Sequence, residues 1–171
     1  MTQVLAKGAN TALPSPSVTV AVTSVTPLDI AALLVTQTGK VRSDDDFVFY
    51  NQPSGPGVRL RPPSTLDLDL GAVPAVIDKV VLTASLDGSG PATFAQAGRI
   101  EVVVRDARGG EVARFVPDGL STETALVLAE VYRRQGAWKV RAVGQGYASG
   151  LAGIATDFGI IVDDSGPVAA P

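Results

Sequence analysis

The chain of 171 residues contains no cysteine and no histidine. Their absence removes disulfides, thiolate nucleophiles, Ser-His-Asp triads, imidazole proton shuttles and the usual zinc ligands. What remains is carboxylates, lysines, hydroxyls and backbone groups, a ligand set that favours a hard cation such as calcium or magnesium over zinc or copper. Charge is scarce as well. Asp, Glu, Lys and Arg make up 18% of the residues and sum to −3, so no basic stripe can track a phosphate backbone, and nucleic acid is not expected as a partner. No apolar run approaches the ~20 residues that span a bilayer, and no basic segment followed by a continuous apolar one opens the chain. We expect no membrane insertion and a cytoplasmic location, with which the lack of cysteine is compatible.

The 46% hydrophobic content and the length suit one domain with a single large core. We place it at 1–164, followed by a flexible tail at 165–171. Alternation with turn punctuation dominates, as half-buried antiparallel strands require. Val18, Val20 and Val22 point to one face, and Thr19, Ala21 and Thr23 to the other. Further strands are expected over 31–41 up to a turn at Gly39, over 46–51, 80–85, 100–106, 111–116 and 137–145, and finally over 159–164. In 66–70, Asp67 and Asp69 alternate with three leucines as the wet face of a strand. The Pro- and Gly-rich stretch 53–63 reads as a long surface loop.

Two segments break the alternation. Residues 122–135 carry Ala125, Leu126, Leu128, Ala129, Val131 and Tyr132 at helical spacing, with Ser121 as N-cap, a Glu130 and Arg134 pair four apart, and Gly136 as terminator. A second short helix is expected at 149–156. The fold class is therefore mainly β, a two-sheet antiparallel β-sandwich with one amphipathic helix and a second short one. The glycines of 144–153 lack the lysine, hydroxyl and βαβ setting of a phosphate cradle and read as turn residues around Tyr147.

Four blocks then point to a family: VLAKGAN (4–10), GKVRSDDDFVFYNQP (39–53), LDLGAVPAVIDKVVLTAS (68–85) and STETALVLAEVYRRQGAWKVRAVGQGYASGLAGIATDFGIIVDD (121–164). In this order and with short gaps they resemble the tellurium-resistance TerD family over nearly the whole chain. The resemblance implies a bacterial cytoplasmic β-sandwich associated with resistance to tellurite and other stresses, binding calcium through acidic loops and carrying no defined reaction.

The chain departs from that pattern where the acids belong. Aligned on LDLGAVPA, Pro62, Pro63 and Ser64 stand where the family has an acidic triplet. Pro27 replaces the first aspartate of a pair whose second is Asp29, and the loop 86–98 retains Asp87 but is shorter and less acidic. The remaining cluster is Asp44, Asp45 and Asp46. On a strand, Asp44 and Asp46 would share one face, and Arg42 is near enough to compensate their repulsion. The metal candidates are thus Asp29, Asp44, Asp45, Asp46 and Asp87, and each also has a plain structural reading: a solvated acidic turn for the triplet, an Asx-turn for Asp29. Because calcium takes about 6 to 8 oxygens and weakens as anionic ligands are removed, we expect its binding to be weak or absent.

Two functions follow. One is a non-catalytic, metal-responsive stress module whose acidic loops present a surface to an unknown protein partner. The other is a metal-independent interaction or self-association module on the same scaffold, with a protein partner or a second copy of the chain. An acid–base enzyme built on a pair such as Asp45 and Glu101 has no recognised pattern behind it, and we expect no catalysis.

Overall fold

Val18, Val20 and Val22 are buried and the residues between them are not, as the alternation requires. In the computed structural model, which describes residues 3–62, 64–86 and 89–160, they lie on the third strand. The chain begins with β1 (Gln3–Val4), β2 (Asn10–Ala12), β3 (Ser17–Ser24) and β4 (Leu28–Thr36). It continues through β5 (Phe47–Val48), β6 (Ser54–Gly55), β7 (Val58–Arg61), β8 (Thr65–Asp69) and β9 (Ile77–Leu86). After these come β10 (Ile100–Arg105), β11 (Glu111–Phe115), β12 (Ala125–Arg134), β13 (Ala137–Tyr147) and the helix α1 (Gly150–Asp157).

The strands form two sheets, β1-β11-β10-β3-β8-β7-β6 and β2-β13-β12-β9-β4-β5. Every pair is antiparallel except β1 with β11. Between the sheets lies the main core, in which Val20, Leu66 and Val102 of one face Leu34, Leu82 and Leu128 of the other. The six-stranded sheet has a second apolar layer on its outer side. There Ala31, Leu33, Val81, Ala125 and Val127 pack with Ile154 and Ala155 of α1 and with Ile160. Among the described residues, each sheet ends in strands of two or three residues, and such short edges leave little ladder for another chain to extend.

The helix expected over 122–135 is a strand, β12. It sits between β9 and β13, hydrogen-bonded to both, and buries Leu126, Leu128 and Val131 toward the main core and Ala125 and Val127 toward α1. A strand apolar on both faces loses its period of two and reads as a continuous run. Gly136, expected to end a helix, instead forms a two-residue hairpin turn with Gln135, at φ values of 80° and 53°. Arg134 and Ala137 pair directly across it, as a type I′ turn demands. Glu130 pairs across strands, with Lys79 Nζ at 3.1 Å and Arg141 Nη1 at 3.7 Å.

The second helix stands where it was expected, as α1. The final strand falls largely on residues 161–164, outside the described residues, and the tail at 165–171 lies outside them too. Of the stretch 53–63, the described residues 54–61 form a hairpin and not a long loop. β6 and β7 pair through Gly55 and Val58, and the intervening Pro56–Gly57 has the residue order of a type II turn. Gly57 has φ +81°, and a Cβ there would stand 2.6 Å from Val73 Cγ2 and 2.7 Å from the carbonyl oxygen of Asp69. Sterics and backbone conformation thus both demand glycine. We expect Gly57→Ala to destabilise the fold by about 2–4 kcal/mol, whereas Gly109→Ala, with φ +83° but open space around it, costs about 1 kcal/mol. Thermal or urea melts of the two variants check the contrast.

Candidate functional site

Asp44, Asp45 and Asp46 form a short 3-10 turn ahead of β5, so the expected sharing of a strand face does not arise. Ser43 begins the turn, its hydroxyl accepting from the Asp45 N–H at 3.2 Å. The Asp46 side chain is 1% exposed, and its carboxylate accepts three hydrogen bonds from Arg42. The backbone N–H and Nε reach Oδ2 at 3.0 and 2.9 Å, and Nη2 reaches Oδ1 at 2.9 Å. Arg42 is therefore the compensating cation, and Asp46 is a structural acid. Gln52 Nε2 closes the far side of the turn, donating to the carbonyls of Asp44 at 2.7 Å and Phe47 at 2.6 Å. Beyond it the Phe47 and Phe49 rings stack at 4.4 Å, and Phe49 meets Tyr50 edge-on at 5.2 Å.

Asp29 is elsewhere. It is the second residue of β4, paired with Ser85 of β9, whose hydroxyl donates to the Asp29 carbonyl at 3.5 Å. Phe47 stands opposite Leu33, four residues further along β4 and so roughly 13 Å away. Because β5 runs antiparallel to β4, the aspartate turn that precedes Phe47 lies further still from Asp29, toward the opposite end of the sandwich. Asp87 is outside the described residues.

The described residues next to the missing acids gather at the Asp29 end. Between β7 and β8, the Ser64 carbonyl accepts from the Val22 N–H at 3.0 Å. The 25–27 connection is tied to the loop 89–99 by the buried Thr26, whose hydroxyl donates to the Ala97 carbonyl at 2.7 Å. That loop rests on the segment before β12, with Phe94 N–H donating to Glu123 O and Ala95 N–H to Ser121 O. Fastenings between neutral groups therefore hold these loops together. Among the described residues, no three Asp or Glu side chains are placed to hold a metal ion.

Arginine clamps are what the sequence did not disclose. On the outer face of the seven-stranded sheet, Arg114 donates to Glu111 at 2.9 and 2.6 Å and to Glu101 at 2.7 Å, and Arg99 reaches the same Glu101 oxygen at 3.2 Å. Arg61 holds Asp67 through two bonds of 2.9 Å, and Thr19 adds a third. The hydrogen bond from Arg114 holds the Glu101 carboxyl below its usual range, with help from Arg99, and that from Arg61 does the same for Asp67. These acids thus contribute stability above their unfolded pKa values and lose it as pH falls through the folded ones. Glu101 lies in the seven-stranded sheet, whereas Asp45 precedes β5 of the other. The pair considered for acid–base work is not assembled. Arg114 with Glu101 and Arg61 with Asp67 are cross-strand neighbours, and only the register reveals them.

Removing Arg42 would leave a buried carboxylate with one backbone donor. We expect Arg42→Ala to destabilise the protein by about 2–4 kcal/mol, and Arg99→Ala, at an exposed pair, by under ~1 kcal/mol, both measured by urea denaturation.

The two-sheet arrangement has counterparts among known proteins. The family model described as TerD domain matches residues 1–158. The chain is 37% identical over 149 residues to tellurium resistance protein TerD of Serratia marcescens, covering 78% of each. It is 35% identical over 151 residues to general stress protein 16U of Bacillus subtilis, covering 79% of this chain and 78% of that one. With chemical-damaging agent resistance protein B of Clostridium acetobutylicum it shares 33% over 138 residues, covering 71% and 99%. The crystal structure of a homologue of telluride resistance protein TerD from Streptomyces coelicolor shares the fold, with a TM-score of 0.62 at 21% identity over 81% of this chain and 94% of that one. This chain belongs to the TerD domain family.

Proposed function

We propose that the chain is a non-catalytic stress-response module of TerD type, bacterial and cytoplasmic, in which calcium binding by the acidic loops is reduced or lost. The observation that carries this reading is the placement of the acids. Asp46 spends its carboxylate on Arg42, and Asp29 lies toward the other end of β4 from the Asp44–Asp46 turn. Calcium requires about 6 to 8 oxygens within 2.3–2.6 Å. Asp29 and the triplet cannot supply such a shell together, and Asp44 and Asp45 alone leave most of it to water. Among the described residues, the acids present do not fit a full calcium site.

The stress setting rests on the relatives, whose names refer to tellurium resistance, general stress and chemical damage. A binding role for this chain fits a scaffold whose loops are fastened by neutral hydrogen bonds and whose outer acids are clamped by arginines. Such surfaces stay ordered without an ion and can present a constant shape to a protein partner.

Calorimetric titration of chelator-treated protein with calcium, with magnesium as control and thermal melts alongside, tests the proposal. Ligand that binds the native state must raise the melting temperature. We expect no saturable heat at micromolar calcium and a shift in Tm below ~1 °C at 1 mM calcium. A two-site titration of full affinity that Asp29→Ala or Asp45→Ala abolishes would overturn the proposal and restore the metal-responsive module.

A further inference from the structure

We propose that α1 is a latched cover over the outer face of the six-stranded sheet, opening and closing as a unit while the sandwich stays folded. The helix has eight residues, two of them glycine, fewer than the ~12–15 that an isolated helix needs even with good helix formers. It holds its shape because it is docked. Only Ile154 and Ala155 within it are buried, yet Val81, Ala125 and Val127 in the layer beneath are 0%, 0% and 3% exposed. A small apolar contact thus closes a well-formed apolar surface, in which Thr83 is also buried with its hydroxyl donating to Ala31 O.

The fastenings of α1 lie at its two ends. Ala148 and Ser149, both exposed, join it to β13, and Gly150 at φ +75° makes the bend. At the far end Lys40 Nζ donates to the Asp157 carbonyl at 2.5 Å. Val41 N–H donates to Phe158 O at 2.8 Å. Burial, with the neighbouring Asp157 carboxylate, pushes the Tyr147 phenol up to about 12. The helix's own hydrogen bonds are local, whereas β12 is laddered on both sides. An element of the first kind opens at a free energy below global unfolding, and one of the second kind does not.

The absence of cysteine makes the test direct. A single thiol is placed under the cover by Ala125→Cys and, in a second protein, in the main core by Ala84→Cys, both at residues 0% exposed. Labelling by an aromatic disulfide reagent is followed without denaturant, and melts confirm that each protein is folded. We expect the Cys at 125 to react at least about 100-fold faster than the Cys at 84. Adding Lys40→Met, which removes the hydrogen bond to the Asp157 carbonyl and keeps the aliphatic stem, should quicken the former about ten-fold and leave the latter unchanged. Equal rates at the two positions, or a Lys40→Met effect of the same size on both, would overturn the proposal, because opening would then be global unfolding. No effect of Lys40→Met at either position would overturn the assignment of the latch.

Discussion

The six-stranded sheet is buried on both faces, and most of the molecule is arranged around that constraint. Its inner face needs a second sheet, which supplies Val20, Leu66 and Val102, and its outer face needs α1 and the segment through Ile160. A sheet buried on both sides can tolerate few polar side chains on its central strands. The hydroxyls that do occur, on Thr83 and Ser85, donate to carbonyls of β4, as buried polar groups must. Charge lies instead beside that layer, in the Lys79–Glu130–Arg141 group of the same sheet, on the outer face of the other sheet and in the loops. There it is held in arginine clamps, most of them partly exposed and individually weak.

Arg42 with Asp46 differs from the surface pairs. Its acid is almost wholly enclosed, so the pair holds the turn before β5 in place and withdraws one carboxylate from ligand duty. Asp29 lies apart from that turn because β5 pairs with β4 four residues further along. The two-sheet scaffold of the family is present, with these acids toward opposite ends of β4.

The strands with one wet face were legible. Val18 to Val22, Leu66 to Leu70 and Trp138 to Ala142 alternate in sequence and in burial. β12 was not, because burial on both faces erased the alternation, and Gly136 serves equally as a helix stop or a hairpin turn. The hairpin within 53–63 was missed for a related reason. Proline and glycine mark loops and tight turns alike, and the short strands beside Pro56–Gly57 carry too few residues to show a period. Within the candidate site, Arg42 was legible as a cation near enough to compensate the aspartate triplet, whereas its enclosure of Asp46 in particular was not. The position of Asp29 relative to it depends on the register of β5 against β4, which no local pattern encodes.

By itself, the sequence determined the chemistry that is excluded, the mainly-β class and the family, because these depend on which residues are present and on short-range order along the chain. Tertiary structure alone decided that β12 is a strand, that Glu101 and Asp67 are clamped, and that the acids fall at different ends of the sandwich. Each of those depends on which strands become neighbours and in what register, and that is set by burying two apolar faces at once.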